Sequence, residues 1–466
     1  MKKLFAMFVA QALLLTSLTA CTGQPGETIK PQAQDNPSST SKPTDTPSQE
    51  GKTLVIYGWN EEFQSRFNEY YASKLPDGIE VKWVITPNQN NQYQNKLDED
   101  LLKQDTVAQD EKIDIFLVEA DYALKYVNTE YTLDVRKDIG LTDADLANQY
   151  TYTQEIATDE SGALKGVSWQ ATPGLFAYRR SIAKDVLGTD DPVAVQAALS
   201  DWEKFDQVAE KAAAKGYKML SGFDDSYRTF SNNVTAPWVD ENNVIQIDEN
   251  LMKWVDQTKE YTDKAYNNKT SLWSDGWAKD QGPSGNVFGF FYSTWGINFT
   301  LLGNTLATPV AEGGKEEVGN GIFGDYAVCE GPQPYYWGGS WICAAKGTDN
   351  AELIKDIMLT LTCDSETMKQ ITLDTQDYTN NQKAMEEMGA SDFKSDFLGG
   401  QNHIKLFATT AKNISMDNIS PYDQGLTESF QQAFMDYFNG NATKEQALDN
   451  FYKAVLVKYP ELKMPQ

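Results

Sequence analysis

Thr53-Leu-Val-Ile-Tyr-Gly-Trp59 reads as a short buried strand that stops at a glycine and hands over to an aromatic loop. An unbroken apolar run of this length marks a strand covered on both faces. Asn60 stands where a helix cap belongs. Phe63, Phe67, Tyr70 and Tyr71 then recur at helical spacing, and Leu75 completes the stripe. Pro76-Asp77-Gly78 stops that helix, and residues 79–85 return as a strand. A helix over 93–104 and a strand over 113–118 follow. Strands alternating with helical covers predict an α/β lobe.

The rest of the chain keeps this mixture. Residues 175–179 read as a strand, and 181–187, 202–214 and 251–266 as helices. The glycine-rich apolar stretch 285–295 suits a strand and its exit. Strands are predicted over 326–328 and 341–345, and helices over 351–361, 428–438 and 444–459. No internal repeat has a fixed period. From Lys52 onward the body runs about 415 residues, more than one average core, so two domains are expected.

Upstream, Lys2 and Lys3 precede an apolar run from Leu4 to Leu18 that is too short and too soon interrupted for a comfortable membrane span. Leu18-Thr19-Ala20-Cys21 resembles the lipobox of bacterial lipoproteins. It implies that residues 1–20 are a signal peptide and that Cys21 carries lipid such as palmitate; the alternative is an ordinary secretory signal with a chance cysteine. Residues 22–50 hold Pro, Ser, Thr, Gln, Gly and charge with no aromatic residue. Such a segment buries too little to offset its ordering entropy, so 21–51 is expected to be a lipidated cysteine and flexible tether.

Forty Lys and Arg against 67 Asp and Glu give a formal charge of -27, which argues against a nucleic-acid surface. Beyond Cys21 there are only Cys329, Cys343 and Cys363, too few for a disulfide scaffold. A 329–343 bridge and buried free thiols are both open. The single histidine, His403, rules out a multi-histidine metal site, and no full calcium-binding loop is visible. No metal or cofactor is expected.

The eleven tryptophans are the strongest local feature. Trp59, Trp169, Trp238, Trp273, Trp277, Trp295, Trp337 and Trp341 sit beside glycines, prolines or turns, where binding residues concentrate. Flat rings suit the apolar faces of sugars, and nearby carboxylates and amides can orient hydroxyls. Asn60, Glu62, Glu119, Asp121, Gln170, Asp224 and Asp225 are the polar partners in reach of those loops by sequence. Trp83, Trp202 and Trp254 fall inside strand or helix patterns and are expected in the core. Asp224-Asp225 and Glu61-Glu62 do not amount to a glycosidase, which needs two carboxyls facing one bond. There is no Gly-x-Ser-x-Gly elbow, phosphate loop or zinc motif.

Taken in order, these segments resemble the sugar-binding class of extracellular solute-binding proteins that serve ABC importers, the class containing the maltose-binding proteins, in its Gram-positive lipoprotein form. The resemblance covers essentially the whole body. It is carried by Thr53–Trp59, by Asp114-Ile-Phe-Leu-Val-Glu-Ala-Asp121, by Leu175-Phe-Ala-Tyr-Arg-Arg180, by the run from Phe288 to Trp295, and by Tyr335-Tyr-Trp-Gly-Gly-Ser-Trp341. It implies a two-lobed periplasmic-binding-protein-like fold with discontinuous lobes joined by a hinge. The first lobe would use 52–168 plus 286–336, and the second 169–285 plus 337–466. It implies ligand contact at Trp59, Asn60, Asp121, Trp295 and Trp341. Chemistry and loop placement add Glu62, Glu119, Trp169, Gln170, Asp224, Trp238, Trp273, Trp277 and Trp337. The implied protein is a monomer anchored by lipid on the extracellular face of the cell membrane. It captures an oligosaccharide and delivers it to an ABC permease, without covalent chemistry. The alternatives are a surface glycan-binding lipoprotein not coupled to import and a lipid-anchored glycoside hydrolase.

Overall fold

The computed structural model describes residues 51–465. The expected signal peptide, Cys21 and nearly all of the expected tether lie outside them. Among the described residues no helix is long and apolar enough to cross a membrane.

Two sheets organise the chain. The first has strand order β2-β1-β3-β8-β4, from β1 (Thr53–Gly58), β2 (Glu80–Ile85), β3 (Ile115–Glu119), β4 (Gly166–Ser168) and β8 (Ser340–Ala344). β1 runs parallel to β2 and β3, so the loops leaving β1 and β3 emerge on one edge. β8 runs antiparallel to both β3 and β4. The second sheet has order β6-β5-β7, all antiparallel, from β5 (Gly174–Arg179), β6 (Gly289–Ser293) and β7 (Tyr326–Cys329). All but the ends of β1, β3 and β5 are buried, as their unbroken apolar runs require. The expected early elements are present, with a helix over Glu62–Tyr70 and another over Gln92–Leu102. Asn60 does cap the first of these: its Oδ1 accepts the Glu62 backbone N–H at 3.0 Å.

Strand pairing corrects the expected division of the lobes. β6 and β7 belong to the sheet of β5, whereas β8 completes the sheet of β1 and β3. Residues 286–336 therefore build the second lobe, and the segment around 340–345 returns to the first. The physical reason is registry. Ser340 to Ala344 face Glu119 to Ile115 across five paired positions, and a buried strand with unpaired backbone on that side would be costly.

The crossings between the sheets run side by side. Gly174 N–H donates to Tyr335 C=O at 2.7 Å, and Trp337 N–H donates to Thr172 C=O at 3.1 Å. A third segment joins them: Ala171 N–H reaches Tyr378 C=O at 3.3 Å, and Asn380 N–H reaches Trp169 C=O at 2.9 Å. Gly174 is required here, because a Cβ on it would sit 2.0 Å from the Tyr335 ring. A separate core lies beyond the second sheet, where helices Glu249–Asp263, Asp423–Phe438 and Lys444–Lys458 enclose Trp254, Phe430, Phe434 and Phe451.

The three body cysteines are free thiols. Cys329 lies in β7 and Cys343 in β8, in different sheets, so the 329–343 bridge is corrected to buried thiols. Burial pushes the Cys329 thiol up to about 12.

Candidate functional site

The edge of the first sheet supplies two loops. Trp59 follows β1 and is partly buried, its ring edge-on to Tyr93 at 5.5 Å and to Tyr122 at 6.3 Å. Tyr122 belongs to the loop after β3, so Trp59 stands beside Glu119 and Asp121. The Glu119 carboxylate accepts the Asp121 backbone N–H at 2.8 Å. Burial, and then the neighbouring Asp121 charge, push Glu119 up to about 8. Asp121 reaches across to the second lobe. Both its oxygens accept from Arg228 of the short helix Tyr227–Ser231, one of them from Nη1 at 2.5 Å. This is a two-point, charge-assisted contact between lobes.

A cavity of about 370 Å³ opens beside that pair. Asp121 and Lys125 line it from the first lobe, Arg228, Asn232 and Tyr336 from the second, and the segment from Asn413 to Asp423 closes it. Asn232 Oδ1 accepts the Tyr336 backbone N–H at 2.8 Å, which ties the helix end to the crossing. Burial pushes the Asp423 carboxyl up to about 7 although Ser420 bonds it at 2.7 Å.

One residue past Tyr336 begins an aromatic group on the second lobe. Trp337 and Trp295 meet at 5.2 Å, and Trp295 Nε1–H donates to Trp337 C=O at 3.0 Å. Trp273 lies nearly parallel to Trp295, 16° between planes and 6.0 Å between centroids, and touches Trp337 at 5.9 Å. Trp273 is 56% exposed and has φ 68°, a backbone region that bulky residues avoid. Its loop is held from behind, where a partly buried Asp224 accepts the Leu272 N–H at 3.3 Å. Burial pushes Asp224 up to about 6. Gly338, at φ 74°, lets the crossing pass Trp295 closely: a Cβ there would meet Trp295 Nε1 at 3.1 Å.

The structure thus places Trp59, Glu119 and Asp121 on the loops leaving the first sheet and gathers Trp273, Trp295 and Trp337 on the second lobe; of these six, Asp121 alone lines the cavity. Asn60 is exposed beside Trp59. Other residues expected at the site are turned to structural work. Trp169 is 1% exposed and stacks on Phe63 at 5.2 Å. Trp341 is equally buried inside β8, its Nε1–H donating to Thr153 C=O at 2.7 Å. Trp277 is buried and donates to Asp225 at 3.0 Å. Trp238 packs edge-on to Phe430 at 5.4 Å in the helical core, and only its margin reaches the cavity. Gln170 and Glu62 bond each other at 2.9 Å, and Gln170 also bonds Asp377 at 3.0 Å, in a buried knot that includes Arg66. Asp225 accepts the Ser221 and Gly222 N–H groups. Arg228, Asn232 and Tyr336 were not singled out from sequence. The only signal for Arg228 is a cation placed three residues after an acidic pair in an acidic chain. Among the described residues no cluster of three His, Cys, Asp or Glu side chains is placed to hold a metal.

A family model described as bacterial extracellular solute-binding protein matches residues 65–397. No curated protein sequence matches the chain. Solved structures share the two-lobed fold at low identity. One is an extracellular solute-binding protein of family 1, 18% identical over 87% of this chain and 100% of that one, with TM-score 0.71. A second is the ABC transporter associated binding protein from B. animalis subsp. lactis in complex with beta-1,6-galactobiose, 16% identical over 89% and 100%, TM-score 0.65. A third is the galacto-N-biose-/lacto-N-biose I-binding protein of the ABC transporter from Bifidobacterium longum in complex with lacto-N-biose, 13% identical over 90% and 98%, TM-score 0.63.

Proposed function

The chain belongs to the bacterial extracellular solute-binding proteins, and on that premise we propose that it captures an oligosaccharide between its lobes and delivers it to the permease of an ABC importer. The observation that carries the sugar reading is the Trp273–Trp295–Trp337 group. A tryptophan more than half exposed, held at φ 68° and nearly parallel to a second ring, presents flat apolar area on the second lobe, and the group adjoins the cavity through Trp337, which follows the cavity-lining Tyr336. Backbone strain of this kind costs on the order of 1–3 kcal/mol and collects at ligand-binding positions. Trp59 offers a ring from the opposite lobe. A sugar in contact with both lobes favours their closure, because only the closed arrangement lets it touch both.

Trp59, Asn60, Trp273, Trp295 and Trp337 are the ligand-contacting set in this reading, with Asn232 and Asp423 as polar partners. Cys21 is its lipid anchor on the outer face of the membrane, and the segment up to residue 51 is its tether. Binding without catalysis fits both the family and the acids. Asp224 accepts a backbone N–H of its own lobe, and Asp225 accepts two backbone N–H groups and the Trp277 indole N–H there. Titration calorimetry with neutral malto-, xylo-, fructo- and galacto-oligosaccharides tests the proposal. At least one series should bind, and Trp295→Ala should weaken it. A folded protein that binds none of them contradicts the sugar reading.

A further inference from the structure

We infer that the cleft selects uncharged or amino sugars and rejects glycans carrying a carboxylate; this rests on the oligosaccharide reading above and specifies its ligand class. Two cationic side chains line the cavity, and each is already matched. Lys125 donates to Asp98 at 2.7 Å. Arg228 is held at two points by Asp121, and Glu119 lies near enough for its charge also to act on the guanidinium. Against these stand three lining carboxyl groups, Asp121, Asp417 and Asp423.

An anionic group entering here gives up its hydration and finds no unpaired cation. To gain Arg228 it must displace Asp121, which leaves a carboxylate in the cleft without its partner. Breaking one side of a sequestered ion pair is the expensive way to treat it. Hydroxyl groups meet no such obstacle, since they donate to carboxylates and exchange bonds with amides as readily as water does. An ammonium group would find acids in excess. The formal charge of -27 on the whole chain adds a long-range term of the same sign at low salt. Repulsive elements of this sort define specificity as much as attractive ones do.

The test uses matched probes on the intact protein. Each neutral oligosaccharide found to bind is compared by calorimetry with its counterpart in which one C6 hydroxymethyl is a carboxylate. The wild type should bind the acidic probe at least about tenfold more weakly. Asp121→Asn, which leaves Arg228 unmatched, should narrow or reverse that ratio. Equal or tighter binding of the acidic probe by the wild type overturns the inference and leaves the oligosaccharide reading standing. Binding of neither probe overturns the oligosaccharide reading itself and this inference with it. Should Asp121→Asn fail to fold, the wild-type ratio alone decides, and a ratio that shrinks as salt rises supports the charge origin.

Discussion

Trp273 and Trp169 look alike in sequence, each next to a turn, yet the structure gives them opposite work. Trp273 is 56% exposed and rests against Trp295 and Trp337, whereas Trp169 is 1% exposed and stacked on Phe63. Trp273→Ala should therefore change unfolding free energy by less than about 1 kcal/mol while lowering sugar affinity about tenfold or more. Trp169→Ala should cost about 3–5 kcal/mol by leaving a cavity. Urea unfolding with calorimetry on the same two variants checks both. The buried acids make a second prediction. Asp423 and Glu119 are held up at about 7 and about 8, so the folded chain keeps protons that the unfolded chain has released. Stability must then fall as pH rises through that range. His403 acts in the opposite sense, because burial lowers it from 6.5 to about 4 and its contribution is lost as pH falls. Above pH 6.5 the histidine term is nearly flat, and the carboxyls act in the same sense as the raised buried thiols, whose contribution Asp423→Asn leaves in place. The urea midpoint should drop between pH 6.5 and 8.5, and Asp423→Asn should drop less.

At the scale of elements the crossings decide how the lobes can move. Gly174 starts β5 against the Tyr335 ring, whose hydroxyl lies within reach of Leu175 C=O at 2.9 Å and Tyr292 C=O at 3.0 Å and shares its one proton between them. Gly174→Ala would force that ring out of place and should destabilise by about 1–3 kcal/mol, read as a lower urea midpoint. The strands around these crossings were legible where an apolar run is continuous: 53–57 and 175–179 lie inside β1 and β5, and 341–345 overlaps β8 and runs one residue past its end. β4 was not legible, since Gly166-Val-Ser168 is too short to show a period. The helices Ser365–Thr375 and Ile404–Thr410 were missed as well. Both are rich in threonine and pack by tertiary contact more than by propensity. Which sheet a strand joins was also hidden: β8 follows β7 in the chain but pairs with β3, through contacts more than 200 residues apart. The same distance effect hid Arg228, whose partner Asp121 lies 107 positions away. Loop placement pointed equally to Trp273, Trp295, Trp337, Trp277 and Trp341, of which the structure leaves Trp273 exposed and Trp295 partly buried and buries the other three, because adjacency to a turn does not fix burial.

The whole molecule joins two sheets through antiparallel crossings, with aromatic rings on both lobes and the Asp121–Arg228 pair spanning them. A sugar that touches Trp59 on the first lobe and Trp295 on the second can do so fully only when the lobes are shut. The contraction is therefore the signature that separates capture between lobes from adhesion to one surface. Small-angle X-ray scattering of the wild type and of Trp295→Ala, each with and without a saturating neutral oligosaccharide that binds in calorimetry, measures it directly. The account predicts a smaller radius of gyration for the wild type with sugar and little change for Trp295→Ala at the same concentration. A wild type that binds the sugar with no change in dimensions would contradict capture between the lobes.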